Sequence, residues 1–391
     1  MNSPSHQNAT GSPASNDTLA GLRLATRIAF FVAGMGVACW APLVPYAKAK
    51  LGLDEAGLGM MLLFLGAGSV SAMPVAGGLA GRFGSRAVIL GGLTALALVL
   101  PLLSVVTTPW QLSVTLALFG ASLGAVDVAA NIHGVEVEHR AGVPLMSNFH
   151  GFYSIGGLTG SGAMTLLLTN GVPPWMATLS ASVLGAACVL IAAPRLLATR
   201  PEAGTPFFVR PRGVVLLIGC LTFIIFLLEG SLLDWSAVLL KEERGMPESL
   251  AGTGFALFSL AMAIGRLTGD RLTARWGGKR MLLHGSILTS AGLVWLILAP
   301  GATAALIGFP IIGLGAANLV PVLFSATSRQ TVMPKDLAIS AISVMGYAGI
   351  LAGPAAIGFV AGFIGLEGVF GLLAAAVLAL AFFSRIGSAV R

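Results

Sequence analysis

The sequence predicts an all-α membrane protein of twelve transmembrane helices, built as two pseudo-symmetric six-helix bundles. Three observations lead there. Charged residues are only 9% of the 391 and hydrophobic residues are 56%, with a mean hydropathy of +0.92. Soluble domains carry roughly 25% charge, so lipid must be the solvent for most of this chain. The apolar residues fall into twelve runs, each near the roughly 20 residues that cross a bilayer. Finally, two polar segments repeat each other half a chain apart. Leu79, Arg82, Phe83, Gly84 and Arg86 align with Leu272, Arg275, Trp276, Gly277 and Lys279 at a constant offset of 193 residues. A membrane chain with two similar halves is the plan of a secondary transporter, with its substrate site between the halves.

Residues 1–21 are rich in Ser, Asn, Pro and Thr and read as a disordered cytoplasmic tail, without the basic start of a signal peptide. The first bundle, 22–193, contains spans 1 to 6 at 22–47, 55–78, 87–107, 110–134, 147–169 and 174–193. Residues 194–212 carry Pro194, Pro201, Pro206, Pro211 and four arginines, and read as a cytoplasmic linker. The second bundle, 213–387, contains spans 7 to 12 at 213–239, 248–268, 281–299, 303–327, 337–362 and 368–387. Several connections are very short turns, near Pro109, Gly171 to Pro174 and Pro300 to Ala302.

Charge placement sets the expected orientation. With twelve spans, 18 of the 22 Lys and Arg residues fall on the side of the termini. The other side holds Lys48, Lys50, Lys241 and Arg244. Cations collect in the cytoplasm, so both termini are expected inside a bacterial inner membrane. The net charge of +7 is explained by this bias and needs no nucleic-acid partner. Cys39, Cys188 and Cys220 lie inside apolar runs with no metal-ligand spacing, and read as small apolar fillers.

The loop Gly77 to Arg86 resembles the hallmark motif of the major facilitator superfamily, Gly-x-Leu-x-Asp-Arg-x-Gly-Arg-Lys/Arg, with Gly81 at the acidic position. In the second copy an acid stands at Asp270, displaced from the position of Gly81 and followed by Arg271 and Arg275. Three further segments narrow the likeness: Asp127 to Asn131 running on to Ser147 through Ser154, Glu229 to Ser236, and Gly315 to Pro321. Together they resemble the YbjJ-like bacterial inner-membrane group, loosely similar to fucose permeases. The resemblance implies the major facilitator fold and transport of a small solute.

Charges at bilayer depth cost about 2.5–3.5 kcal/mol on insertion scales, so each needs a partner or a watery cavity. Asp127 and Asn131 share a face of span 4, as a protonatable carboxylate with an amide beside it. Asn318 stands in Gly315-Ala-Ala-Asn318 where Asp127 stands in Gly124-Ala-Val-Asp127, which suggests a matching cavity lining in span 10. His150 opens span 5 with Tyr153 and Ser154 on the same side, either as an interfacial residue or as a proton carrier. Glu229 in span 7 is a candidate for proton coupling or for binding substrate hydroxyls. Asp234 and Trp235, nearer the outer surface, read as a gate or cap. Arg266 and Asp270, four apart at the inner end of span 8, read as an ion pair that holds the helix end, and as a gate if it breaks between states. Arg82, Gly84, Arg271 and Arg275 belong to the two repeated loops and are assigned to conformational switching through the resemblance. Glu136, Glu138 and Arg140 read as solvated loop charges.

Gly156-x-x-x-Gly160 in span 5 matches Gly349-x-x-x-Gly353 in span 11 at the same 193-residue offset, a pattern for close helix packing or for a hinge. No phosphate-binding loop, catalytic triad or metal cluster stands out, so neither an enzyme nor a cofactor is expected. The expected function is a monomeric, proton-coupled secondary transporter of a sugar-like or hydroxylated metabolite. An efflux pump for amphipathic compounds and a non-transporting membrane sensor are the alternatives.

Overall fold

The computed structural model describes residues 16–53, 55–198, 209–246 and 253–389. These are helical almost throughout, with no strand among them. Span 1 is Asn16–Trp40, continued by a 3-10 turn at Ala41–Leu43 and the short helix Val44–Leu51. Pro42 and Pro45 account for that break, because proline removes a backbone donor. Spans 2 to 6 are Glu55–Phe83, Ser85–Val105, Pro109–Ala141, Met146–Thr169 and Pro174–Ala192. Spans 7 to 9 are Gly213–Val238, Thr253–Trp276 and Gly278–Leu298. Span 10 is broken into Ala302–Ala305, Gly308–Ala316 and Leu319–Thr327. Spans 11 and 12 share the element Lys335–Leu380, which Gly365 splits with its positive φ of 74°.

Ten helical segments among the described residues are long and apolar enough to cross a membrane. The other two, spans 5 and 8, are 24 residues each, about 36 Å at 1.5 Å per residue. They carry the polar residues His150, Tyr153, Arg266 and Asp270, which dilute their hydropathy.

Three expectations about local structure change. The helix of span 1 begins at Asn16, so residues 16–21 of the expected tail are helical, while 1–15 lie outside the described residues. Within the expected linker, 194 and 195 belong to the 3-10 turn Ala193–Arg195 and 199–208 lie outside the described residues. The span 4 helix runs on to Ala141, so Glu136, Glu138 and Arg140 belong to a helix rather than a loop.

The two halves pack alike. In the first half, spans 1 and 5, 2 and 4, and 3 and 6 are neighbours; in the second, 7 and 11, 8 and 10, and 9 and 12 are. Glycines allow the close approaches. A Cβ on Gly120 would strike the Leu65 carbonyl, and one on Gly313 would strike the Phe258 carbonyl, the same contact 193 residues later. Gly156 and Gly160 of span 5 lie on the backbone of span 1 at Phe31 and Met35, and Gly349 lies on that of span 7 at Phe223. The repeated loops share a backbone as well. Gly84 (φ 84°, ψ 150°) and Gly277 (φ 78°, ψ 153°) turn the chain from span 2 to 3 and from span 8 to 9 in a conformation open only to glycine.

The buried apolar residues divide in an informative way. One cluster joins the first half to Val215–Ile225 of span 7, Met281 and Leu282 of span 9, 319–326 of span 10 and 337–342 of span 11. All of these lie toward the face that bears the repeated loops, hereafter the basic face. The second cluster lies wholly in the second half, toward the opposite face, and includes Leu232, Leu239, Phe258, Leu293 and Phe309. The halves therefore share a core at the basic face and separate cores away from it.

Filling the glycine contacts should be costly. Gly156→Ala drives a methyl into the Phe31 carbonyl and should destabilise by about 1–3 kcal/mol, lowering the melting temperature in detergent. Gly162→Ala on the same helix faces open space and should leave it unchanged.

Candidate functional site

The site is built where spans 4, 5, 7, 8 and 11 converge. Arg266 of span 8 is its hub. Its guanidinium contacts Glu229 Oε1 of span 7 at 3.3 Å, Ser154 Oγ of span 5 at 3.3 Å and the Ala317 carbonyl of span 10 at 3.4 Å. The side chains of Arg266 and Glu229 are 11% and 21% exposed. The contact to Ser154 crosses from one half to the other.

This corrects the expected Arg266–Asp270 pair. A helical side chain leans toward the N-terminus of its helix. Arg266 therefore reaches into the middle of the molecule and finds Glu229. Asp270, one turn closer to the basic face, accepts from the backbone N–H groups of Ser147 and Asn148, both at 3.0 Å.

The start of span 5 is thus held by two carboxylates. Glu138 Oε2 of span 4 accepts from the N–H of Leu145 at 2.7 Å and of Met146 at 2.9 Å. Asp270 takes the next two. The first N–H groups of a helix have no partner within it, and they favour negative charge. Glu138 comes from the same half and Asp270 from the other. Arg27 donates to Asn148 Oδ1 at 2.7 Å and stacks over Phe152, closing the same region from span 1. Across the other seam, Ser340 Oγ of span 11 donates to the Met73 carbonyl of span 2 at 2.8 Å, with Gly77 close against Ser340. Ser340 is 193 residues after Ser147, so equivalent serines sit at the two seams.

Asp127 is half-buried, and Asn131 Nδ2 donates to its carbonyl at 2.9 Å and lies 3.4 Å from Oδ1. Ser343 of span 11 faces its carboxylate. Tyr153 and Tyr347 lie within electrostatic reach of both Asp127 and Glu229. His150 donates from Nδ1 to the Met146 carbonyl at 2.9 Å, and its ring lies 5.1 Å from that of Phe30 and 6.0 Å from that of Phe324 in the second half.

Not every expected residue joins this group. Asn318 is buried at the break in span 10 and donates to the Gly265 carbonyl at 3.0 Å. The 193-residue offset of the Gly120 and Gly313 contacts places Ala125, not Asp127, opposite Asn318, so the two polar residues are not equivalent. Trp235 packs on Gly358 of its own half, and Asp234 is exposed. Neither is tied to the first half by a hydrogen bond or ion pair among the described residues. Arg82, Arg271 and Arg275 are exposed at the basic face.

Residues the sequence left unmarked also contribute. Ser343 and Tyr347 line the site from span 11; the chain has only three tyrosines, and two of them are here. Glu138 is a helix cap rather than a solvated charge. His133, fully buried in span 4, bonds Thr26 of span 1 through Nδ1 at 3.0 Å and accepts the Leu197 N–H through Nε2 at 2.9 Å.

A sequence model of the Major Facilitator Superfamily matches residues 27–331 and 218–387. The chain belongs to this superfamily. An uncharacterised MFS-type transporter of Yersinia pestis is 48% identical over 365 residues, 93% of this chain and 95% of that protein. The fold is shared with FucP, the fucose:proton symporter of E. coli, in its outward conformation. That match has a TM-score of 0.73 at 17% identity and covers 93% of this chain and 98% of that one. The proton:xylose symporter XylE bound to 6-bromo-6-deoxy-D-glucose matches with a TM-score of 0.75 at 13% identity, over 96% and 97% of the two chains. The protein is a multi-pass membrane transporter of this family, with the paired six-helix plan its sequence repeats indicate.

A double-mutant cycle on thermal stability checks the corrected pairing. Glu229→Gln with Arg266→Gln should show coupling of about 1 kcal/mol, whereas Asp270→Asn with Arg266→Gln should be additive within about 0.5 kcal/mol.

Proposed function

We propose that this transporter moves a small polar solute, sugar-like or hydroxylated, into the cell across the inner membrane, coupled to protons. The observation that carries the reading is the polar cluster of Asp127, Tyr153, Glu229, Arg266 and Tyr347, enclosed by both halves in an otherwise apolar bundle. Carboxylates, tyrosines and an amide offer the donors and acceptors that a hydroxyl-rich solute needs. Asp127 and Glu229 are the carboxylates available to carry the proton. FucP, a fucose:proton symporter, and XylE, a proton:xylose symporter, share the fold and agree with this solute class.

Transport proceeds by alternating access. In our reading the basic face is cytoplasmic, following the excess of cations there, so both termini lie inside. The shared core at that face, with Asp270 on the span 5 backbone and Ser340 on span 2, corresponds to an outward-facing state. To open inward, Asp270 must leave the two N–H groups of span 5, and Arg266 must release Ser154. The gate therefore sits with Asp270 and Arg266. Gly84 sets the turn that holds the loop of Arg82, as Gly277 does for Arg271 and Arg275. One chain supplies both halves of the site, consistent with a working monomer.

Proteoliposomes containing the protein should accumulate solute when an inward pH gradient is imposed. Asp127→Asn or Glu229→Gln should abolish gradient-driven accumulation by at least tenfold. Accumulation indifferent to the gradient would remove the proton from the reading. At the gate, Asp270→Ala should raise the alkylation rate of Ser340→Cys from the basic face severalfold in a chain without its native cysteines. An unchanged rate would exclude Asp270 as a gate residue.

A further inference from the structure

The central site holds two carboxyl groups and one guanidinium. Arg266 is committed to Glu229, as the ion pair at 3.3 Å records. Asp127 has no ion-pair partner among the described residues. Its neighbours are the amide of Asn131 and the hydroxyl of Ser343, with Tyr153 and Tyr347 within electrostatic reach. Two side chains beside it retain buried acceptor capacity. Asn131 Oδ1 makes no hydrogen bond although Asn131 is only 1% exposed, and Ser343 Oγ, fully buried against the Asp127 carboxylate, accepts none. Each can accept a hydrogen bond, and such atoms are expensive to leave unpaired.

A carboxyl group with unused acceptors beside it and two tyrosine hydroxyls within reach describes a receptor for a donor-rich cation. An ammonium group donates three hydrogen bonds and is attracted by a carboxylate. A neutral sugar hydroxyl donates one and brings no opposite charge to the Asp127 carboxyl group. An anionic solute would meet two carboxylates and would have to draw Arg266 away from Glu229. We propose that the solute carries a protonated amine next to its hydroxyls, and that Asp127, with Asn131, Ser343 and the two tyrosines, binds the ammonium group. This rests on the transport reading above and specifies the solute of the same site. It also divides the carboxylates: with Asp127 neutralised by the solute, the coupling proton belongs to Glu229.

The test uses the purified full chain in detergent, titrated by calorimetry at a pH where the amines are charged. The probes are two matched pairs, glucosamine with glucose and ethanolamine with ethylene glycol, and glucuronate as the anion. At least one amine should bind ten times more tightly than its neutral counterpart. Asp127→Asn should erase that ratio and Asp127→Glu should keep it, which separates lost recognition from lost folding. Ser343→Ala, a smaller change, should reduce the ratio about threefold. Equal binding within both pairs, no amine binding at all, or tighter binding of glucuronate would overturn the proposal. Uptake of glucose by proteoliposomes without amine preference would sink this inference and leave the transport reading intact. Amine binding without uptake of any probe would do the reverse.

Discussion

Four backbone N–H groups at the start of span 5 govern how this molecule is closed. Leu145 and Met146 give theirs to Glu138, and Ser147 and Asn148 give theirs to Asp270. A helix start inside a membrane protein cannot leave such donors without partners at low dielectric cost. The first pair is satisfied within one half, by a carboxylate that also meets Ser325 of the other half. The second is satisfied across the seam and holds only while the halves meet at the basic face. The division of the buried apolar residues into one cluster shared at that face and another confined to the second half follows the same boundary.

The central polar cluster depends on that closure. Arg266 and Asp270 stand one turn apart on span 8 and address different elements, Glu229 with Ser154 in one case and the span 5 backbone in the other. A movement of span 8 against span 5 therefore disturbs the site and the seam together. This mechanical link needs no long relay, since the same rigid helix carries both side chains. At the other seam, between spans 2 and 11, a serine hydroxyl donates to a carbonyl, with a glycine in place of a larger residue. Gly77 occupies the position equivalent to Asp270, so the two seams have the same backbone arrangement and different chemistry.

The glycine content has a related explanation. Between helices in lipid, attraction rests on close packing rather than on exclusion of water. Gly120 on Leu65, Gly313 on Phe258, Gly156 on Phe31 and Gly349 on Phe223 bring backbones into direct contact. The pairs recur at the 193-residue offset or close to it, and they pack the helices of each half backbone to backbone.

The sequence by itself determined the twelve spans, the two halves and the polar residues that had to find partners, because each follows from local chemistry. Hydropathy marks what lipid accepts, the offset of Gly84 and Gly277 marks the repeat, and a mid-span charge such as Asp127 or Glu229 stands out against its neighbours. Tertiary structure alone decided who partners whom. Arg266 and Asp270 look paired at four residues apart, yet each reaches more favourable groups on other helices. Asn318 resembles Asp127 by its flanking glycine, yet the register of helix packing turns it toward Gly265. Ser343 and Tyr347 carried no signal beyond their residue types, because what makes them part of the site is the approach of span 11 to span 4, and that approach is set by contacts hundreds of residues apart in the chain.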